Sequence, residues 1–173
     1  MHPKHHFKYC PSCSKPTIFF QNYGAFECEE CHFQLFINAS AAVAAFILNE
    51  EGELLMAKRK HDPQAGTLDL PGGFVEVMEP AEDAVKREIM EELNLEVTHL
   101  EYFGSFPNEY LYKGMTYHTL DLAFVCKVKT FEGMQVNDDV ADAIFIRPEK
   151  IDLNDIGLDS IRRMVLQYQK SIK

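Results

Sequence analysis

The chain has 173 residues, a length that suits one domain of ordinary size, or such a domain with a small module attached. Hydrophobic residues make up 46% of it, which excludes general disorder, and the longest apolar run is too short to span a bilayer. The formal net charge is −10, which disfavours long nucleic acid as a partner and favours a divalent metal as the means of holding a polyanionic substrate. Because no signal peptide pattern is present, we expect a cytoplasmic protein with no membrane partner.

The sequence pattern predicts three segments along the chain. Residues 1–8 are polar and His-rich, and they are expected to form a mobile tail. Residues 9–37 contain two cysteine pairs and short aromatic runs, whereas residues 38–173 mix the periodicities of strands and helices. This pattern predicts an α/β domain over residues 38–173, preceded by a small module over residues 9–37.

Four of the five cysteines form two C-x₂-C pairs separated by fourteen residues: Cys10, Cys13, Cys28 and Cys31. Four soft thiolates at this spacing are typical of a tetrahedral structural Zn²⁺ site, and without a secretion signal the pattern favours metal over disulfides. The fifth, Cys126, lies in an apolar stretch and is expected in the core. We therefore predict a zinc ribbon over residues 9–37. Since Lys and Arg are not in excess there, a fold-stabilising or dimer-forming role is favoured over nucleic-acid binding.

In the third segment, apolar runs and turn residues predict strands over residues 40–48, 53–58, 67–70, 96–106, 116–129 and 143–147, and helices over 80–93 and 158–169. The turn at residues 49–52 predicts that the first two strands return on each other as a hairpin. Pro80 suits a first helical position, and Asn94 suits a left-handed residue just beyond the helix end.

Three carboxylates share one face of the first predicted helix, because Glu88, Glu91 and Glu92 lie at i, i+3 and i+4. Like charges at these spacings destabilise a bare helix by ~0.2–0.5 kcal/mol per pair. A hard divalent cation such as Mg²⁺, which prefers oxygen ligands, would reverse that effect. The alternative is a solvated acidic helix face without a ligand.

The residues around this helix favour the metal site. Gly72 and Gly73 permit a backbone conformation that can aim a carbonyl or an N–H at a metal or phosphate. Arg87 lies four residues before Glu91, where it can orient a carboxylate by a charge-assisted hydrogen bond. Glu79 lies near the helix start, where negative charge suits the helix dipole.

Together these residues resemble the signature of the Nudix hydrolase family. That signature reads Gly, five residues, Glu, seven residues, Arg-Glu, an aliphatic residue, any residue, Glu-Glu, any residue, Gly and an aliphatic residue. With Asn94 in the place of the second Gly, the chain matches it at Gly73, Glu79, Arg87, Glu88, Ile89, Glu91, Glu92 and Leu95. The resemblance covers most of residues 38–173. It implies a Nudix α/β/α sandwich with a mixed sheet, here preceded by the zinc ribbon.

The resemblance also implies a catalytic metal and a reaction. Mg²⁺ or Mn²⁺ would be held by the carbonyl of Gly72 and the carboxylates of Glu88, Glu91 and Glu92. Arg87 would orient Glu88, and Glu79 would support the site or bind a further metal. Water would attack a phosphorus of a diphosphate linkage, and a carboxylate would take its proton. That carboxylate often lies outside the signature, and Asp139 is the positional candidate here; the alternative for Asp139 is an acidic surface loop.

A zinc ribbon ahead of the signature resembles the NADH pyrophosphatase branch and related dinucleotide pyrophosphatases. That branch carries a Ser-Gln-Pro-Trp-Pro-Phe-Pro-like segment, which Ser105, Phe106 and Pro107 match in part. The candidate substrates are small nucleotides, namely NADH or NAD, ADP-ribose and FAD. The branch also implies a homodimer.

Four residues are predicted to contact the substrate: Arg59, Gly73, Tyr110 and Tyr112. Arg59 can reach a phosphate, the backbone of Gly73 can approach one, and the two tyrosines can stack on a base. The alternatives are a solvated strand end for Arg59 and ordinary strand packing for the tyrosines.

Two other functions remain open at this point. The chain would be a ligand sensor if it kept the fold without turnover, although its signature carboxylates are all present. It would be a hydrolase of RNA ends if the ribbon held RNA, although the net charge disfavours this function.

Overall fold

The computed structural model describes residues 7–16, 18–22, 24–137 and 139–172, with only the backbone given for 19–22. The chain divides into two compact units. The ribbon unit comprises the described residues up to Ala39 together with Glu109–His118, and the larger unit comprises Ser40–Asn108 together with the described residues from Thr119 onward. The boundaries predicted near residues 8 and 38 stay predictions, and the expected tail lies outside the described residues except for Phe7 and Lys8.

The ribbon unit contains a small antiparallel sheet in the order β1 (Ile18–Asn22), β2 (Ala25–Cys28) and β3 (Gln34–Phe36). Its buried centre is Phe26, whose ring lies 5.5 Å from that of Phe7 and 6.4 Å from that of Phe33. The tip of the hairpin between β7 (Val97–Tyr112) and β8 (Met115–Val128) also belongs to this unit.

The larger unit contains two three-stranded sheets and two helices. One sheet has the order β4 (Ser40–Ile47), β8 and β7, and the other has the order β6 (Leu68–Asp69), β5 (Leu54–Arg59) and β9 (Val140–Ile146). β4 and β8 run parallel, whereas β5 is antiparallel to both of its neighbours. Helix α1 covers Ala81–Leu93 and helix α2 covers Asp159–Ser171, with two short 3-10 helices, Pro148–Lys150 and Leu153–Asp155, before α2. The predicted α/β class with a mixed sheet is confirmed.

The hairpin predicted between β4 and β5 is wrong, although its turn exists. The Asn49 side chain accepts a hydrogen bond from the Glu53 N–H at 2.8 Å, and Gly52 adopts a positive φ of 73°. Beyond one bridge between Leu48 and Leu54, however, the two strands separate into different sheets. Consecutive residues are buried along most of both strands, so both faces of each strand are covered, unlike those of a half-exposed hairpin strand. Accordingly β4 pairs in parallel with β8, and β5 is the central strand of its sheet.

Strand β4 divides the core into two layers because its successive side chains point to opposite faces. One set packs with buried residues of α1, and its members include Val43, Ala45 and Ile47 with Val85, Ile89 and Leu93. The other set packs with buried residues of α2, and its members include Ala44 and Phe46 with Met164, Val165 and Tyr168. This gives the α/β/α layering. Among the described residues, neither helix is long and apolar enough to cross a membrane.

Candidate active site

The glycine loop before α1 is fastened to the edge of β4. Three backbone hydrogen bonds hold it: Ala45 N–H to the Pro71 carbonyl at 2.8 Å, Val43 N–H to the Gly73 carbonyl at 2.8 Å, and Val75 N–H to the Ala41 carbonyl at 3.0 Å. Gly72 has a φ of 149°, and a Cβ there would collide with the Val43 carbonyl. Only glycine therefore permits this approach.

Glu92 is the buried carboxylate of the site, with 7% of its surface exposed. Its Oε2 accepts the N–H of Gly72 at 3.0 Å, which joins the helix to the glycine loop. Burial raises the pKa of Glu92 from 4.5 to about 8, while the Gly72 hydrogen bond acts in the opposite direction. The negative charges of Glu88, Asp69 and Asp139 add to the rise. Glu92 is therefore a carboxylate that resists ionisation in these surroundings.

Arg87 organises the remaining signature carboxylates. Its guanidinium donates to both oxygens of Glu79 at 2.8 and 2.9 Å, to Glu88 at 2.8 Å and to Glu91 at 3.0 Å. It also donates to the Phe74 carbonyl at 3.1 Å, so one side chain links the loop and the helix. The Arg87 bond, with the Glu76 N–H, lowers the pKa of Glu79 to about 2, and the same pairing raises the pKa of Arg87.

The region of Asp139 lies close enough to the helix for its charge to act on Glu92. The Asp139 carboxylate is 78% exposed, and its backbone carbonyl accepts the Lys60 N–H at 3.0 Å. Its Oδ1 lies 3.8 Å from Nε2 of His61, a residue that the sequence analysis did not select. Asp138, beside it, lies outside the described residues.

Arg59, predicted to reach a phosphate, is engaged by protein atoms in this structure. Its Nη1 donates to Asp69 at 2.6 Å, and its Nε donates to the Pro63 carbonyl at 2.9 Å. Asp69 is 9% exposed and also accepts the Leu70 N–H at 2.8 Å. Burial raises the pKa of Asp69, and the Arg59 charge opposes this rise. Arg59 therefore balances a buried acid beside the carboxylate site.

Tyr110 and Tyr112 lie in the ribbon unit, at the tip of the β7–β8 hairpin. Their rings stack on each other with centroids 6.3 Å apart, and the Lys113 ammonium lies 5.1 Å from the centre of the Tyr112 ring. The two rings therefore form a small aromatic cluster within that unit. Substrate stacking by these tyrosines stays a prediction.

The four predicted zinc ligands converge in the ribbon unit. The sulfur atoms of Cys10, Cys13, Cys28 and Cys31 all lie within 4.8 Å of one another. The Cys10–Cys31 and Cys13–Cys28 pairs are 3.7 and 3.6 Å apart, and a sulfur tetrahedron around Zn²⁺ at 2.3 Å has edges of about 3.8 Å.

Thiol crowding raises the pKa of Cys13 in this cluster. The Lys15 N–H lowers the pKa of Cys13, but burial and the three neighbouring thiols outweigh it and raise that pKa to about 12. Four thiolates at this spacing would therefore need a bound cation to ionise together.

Comparison with known proteins assigns this chain to a family. The NUDIX domain family matches residues 39–168 of the chain. The chain belongs to the Nudix family. Residues 7–46 match a second family, a domain of unknown function (DUF8512). The predicted family and fold are confirmed.

Two curated relatives and one solved structure illustrate the range of likeness. An ADP-ribose pyrophosphatase of Methanocaldococcus jannaschii is 32% identical over 143 residues, which cover 82% of this chain and 75% of that protein. An NAD-capped RNA hydrolase NudC of Haemophilus influenzae is 35% identical over 101 residues, which cover 58% of this chain and 38% of that protein. A Nudix hydrolase from Nitrosomonas europaea superposes with a TM-score of 0.72 at 20% identity, covering 95% of this chain and 92% of that one. The chain thus spans well under half the length of the NudC relative.

Sequence reasoning about the Nudix domain missed three polar residues near the site: His61, Asp69 and Asp121. Asp69 and Asp121 each interrupt an apolar strand, and a lone acid in such a strand is a signal that could have selected them. His61 gave no comparable signal, because it lies in a polar loop.

Proposed function

We propose that the chain is a Nudix pyrophosphatase that hydrolyses the diphosphate linkage of a nucleoside diphosphate joined to another group. The supporting observation is the gathering of Glu88, Glu91 and Glu92 against the Gly72–Gly73 loop, with Arg87 fixing the loop to the helix. Among the candidate substrates, ADP-ribose ranks first, because the relative named for it matches over most of both chains. NADH or NAD and FAD follow.

The proposed metal ligands fit Mg²⁺ or Mn²⁺ by their chemistry. Their ligand atoms are hard oxygens. The buried Glu92 has other negatively charged side chains near it, and a divalent cation would offset that charge. Such a cation, when bound, offsets phosphate charge and lowers the pKa of the attacking water. The four-cysteine cluster is proposed to hold structural Zn²⁺.

The side chains of this site have separate tasks in the proposed reaction. The Gly72 N–H holds one Glu92 oxygen, and the other oxygen is proposed to bind the metal. Arg87 holds Glu88 in place, and Glu79 in turn holds Arg87 by two hydrogen bonds. The exposed Asp139 carboxylate is proposed to take the proton from water. Hydrolysis of ADP-ribose would give AMP and ribose 5-phosphate.

A second candidate function is hydrolysis of NAD-capped RNA ends, and the NudC relatives support it. The stacked Tyr110 and Tyr112 in the ribbon unit are the feature that would suit a base. This candidate ranks below the first because the match covers a smaller share of each protein. The homodimer and the cytoplasmic location stay predictions, and sedimentation equilibrium would measure the first.

Product analysis tests the proposed function. The full chain is incubated with Mg²⁺ and, separately, ADP-ribose, NADH, NAD, FAD and NAD-capped RNA, and products are separated by chromatography. We expect AMP from ADP-ribose, with a loss of at least about 100-fold in kcat/KM for Glu92→Gln, since removing even an outer partner of a metal ligand costs ~10–100-fold. Glu82→Gln, an exposed carboxylate in the first turn of α1, is the matched control and should keep full activity.

Each contrary result has a definite meaning. Cleavage of capped RNA alone would promote the second candidate over the first. Tight binding of one compound, with no turnover of any, would mean that the chain is a ligand sensor and not an enzyme. Equal activity of Glu92→Gln and wild type would remove the carboxylate face from the mechanism.

A further inference from the structure

The loop between β8 and β9 carries Asp139, the proposed proton acceptor, and is described at residues 129–137 and at Asp139. Its first half is held by packing, because Phe131 and Met134 lie against the apolar layer that includes the buried face of α1. In its second half, the side chains of residues 135–137 and of Asp139 are all exposed. Hydrogen bonds, rather than packing, therefore hold the part of the loop that leads to Asp139.

Two of these hydrogen bonds join the loop to the C-terminal end of α1. The last four carbonyls of a helix have no partner within it and accept from other groups. The Asn137 N–H donates to the Glu92 carbonyl at 2.8 Å, and the Gln135 N–H donates to the Leu93 carbonyl at 3.1 Å. The loop thus meets the helix at the backbone of a proposed metal ligand, two residues before Asp139.

Asn94, the residue just beyond α1, adds a side-chain contact to the same loop. Its Nδ2 donates to the Gly133 carbonyl at 2.9 Å. Its backbone is left-handed, with a φ of 54°, and its N–H donates to the Met90 carbonyl at 2.9 Å. Glycine, which the Nudix signature has at this place, can adopt the same backbone but has no side chain to donate. The departure from the signature therefore supplies a hydrogen bond that the signature residue cannot make.

We propose that Asn94 is a positioning residue, which holds this loop against α1 and so fixes Asp139 relative to Glu92. The three contacts with the helix end recur at every second residue of the loop, so they hold an extended segment there. To accept a proton, the exposed Asp139 carboxylate has to be kept within reach of a water beside the metal ligands. The inference rests on the proposed function, in which Asp139 takes that proton.

Two substitutions remove the amide donor of Asn94 and have different side effects. Asn94→Gly introduces the signature residue and keeps the left-handed backbone, but it makes the backbone freer. Asn94→Asp keeps the shape of the side chain and tolerates the same conformation, but it places a negative charge at the C-terminal end of a helix. An effect common to both variants therefore reports the lost hydrogen bond to Gly133. Thr98→Val is the matched control, because it removes an exposed side-chain hydrogen bond to the Lys127 carbonyl, outside the loop.

Amide hydrogen exchange of the full chain measures this contact without requiring turnover. In both Asn94 variants, the N–H groups of Gln135 and Asn137 should exchange on the order of 5-fold faster, the factor that one ordinary net hydrogen bond amounts to. In Thr98→Val these two groups should keep the wild-type rate. The N–H of Ile89, on the buried face of α1, should keep its rate in every variant, because the core around the helix is unchanged.

Steady-state hydrolysis of ADP-ribose tests whether Asn94 acts through Asp139. Both Asn94 variants should lower kcat on the order of 10-fold, a part of the ~10²–10⁴-fold that a positioned proton acceptor contributes. KM should stay near the wild-type value, because the acceptor acts on the attacking water and not on substrate binding. When Asp139→Asn is already present, Asn94→Gly should lower kcat no further, since residues that act as a unit are not additive.

Several results would overturn the inference. They are unchanged exchange at Gln135 and Asn137 in both Asn94 variants, equally faster exchange at Ile89, an unchanged kcat, and the same fall in kcat with and without the Asp139 carboxylate. An inactive wild-type chain would instead overturn the proposed function. Faster exchange confined to the loop would then still support its attachment by Asn94, and unchanged exchange would overturn that attachment as well.

Discussion

Four glutamates within one short segment acquire different protonation behaviour from their surroundings. Arg87 donates two hydrogen bonds to Glu79 and lowers its pKa to about 2. Glu92 has no such cation, and burial raises its pKa to about 8. Glu88 and Glu91 share the Nη1 of Arg87. The family signature records residue types at fixed spacings, whereas the position of one guanidinium decides which carboxylate is left for a metal.

Replacing Glu92 by Gln is expected to stabilise the protein at alkaline pH in the absence of added divalent cation. Between pH 4.5 and about 8, the folded state binds more protons at Glu92 than the unfolded state does, so wild-type stability falls as pH rises through this window. Glutamine does not titrate, so the variant should gain on the order of 2 kcal/mol over wild type at pH 8.5 relative to pH 5. Urea unfolding at both pH values measures this difference.

The control for this prediction is Glu82→Gln, whose exposed side chain should give the same small difference from wild type at both pH values. If Glu92→Gln differs from wild type by an equal amount at pH 5 and pH 8.5, the buried carboxylate does not resist ionisation, and the explanation of its raised pKa is wrong.

Among the elements, those with local signals could be predicted from the sequence. The helix predicted over residues 80–93 is observed at Ala81–Leu93, because its carboxylate and apolar spacings are set within one element. Asn94 follows it with φ 54° and ψ 40°, and its N–H bonds to the Met90 carbonyl, as expected of a left-handed residue in place of glycine. The convergence of the two cysteine pairs could also be predicted, since each pair lies within a single turn, whereas zinc binding stays a prediction.

Pairings between distant strands could not be predicted in the same way. The parallel pairing of β4 with β8 joins Ser40 to Thr119, and no local pattern in β4 specifies that partner over β5. The roles of Asp69 and Asp121 depend on such pairings, because each is a single acid in an apolar strand until the register brings neighbours to it. The sequence therefore singled out the acids of the helix, whose role stays a prediction, and did not single out those of the sheet.

The junction of glycine loop and helix gives a prediction at the scale of elements. A Cβ at Gly73 would lie 2.5–2.6 Å from the carboxyl atoms of Glu88, so Gly73→Ala must displace that side chain. We expect kcat/KM to fall ~10–100-fold, as when a partner of a metal ligand is disturbed. The free energy of unfolding should change by less than about 1.5 kcal/mol, because a flexible side chain moves and alanine restricts the unfolded chain.

Steady-state kinetics and urea unfolding of the same preparations measure both effects. Gly52→Asn is the control, because Gly52 has a positive φ that Asn tolerates and no atom within 4 Å of the added Cβ. Full activity of Gly73→Ala would show that the close approach of the loop to Glu88 is not needed for the reaction.

At the scale of the whole molecule, sequence order and spatial grouping differ. The hairpin tip Glu109–His118 is separated from the cysteines by the first strands and α1 of the larger unit, yet it groups with them in the ribbon unit. Its turn, Lys113–Gly114, has positive φ at both residues, which suits a tight hairpin. A metal bound by the four cysteines would therefore order a unit that includes Tyr110 and Tyr112, although these lie about eighty residues beyond the last cysteine of the cluster.

Loss of zinc is expected to act on the ribbon unit as a whole. The purified chain should carry about one zinc ion, measured by atomic emission, and Cys28→Ser should lose it because a tetrahedral site is left with three thiolates. Cys126→Ala, which removes the buried cysteine of β8, should retain the metal. In hydrogen exchange, peptides covering residues 24–37 and 109–118 should exchange faster in Cys28→Ser, because bound metal supplies the folding energy of a module with few buried side chains. Peptides covering α1 should keep wild-type protection, since its apolar face packs in the core of the larger unit.

Two contrary results would each have a definite meaning. Faster exchange in α1 to the same extent would mean that the two units unfold together. Unchanged exchange at 109–118 would mean that the hairpin tip does not depend on the cysteine cluster.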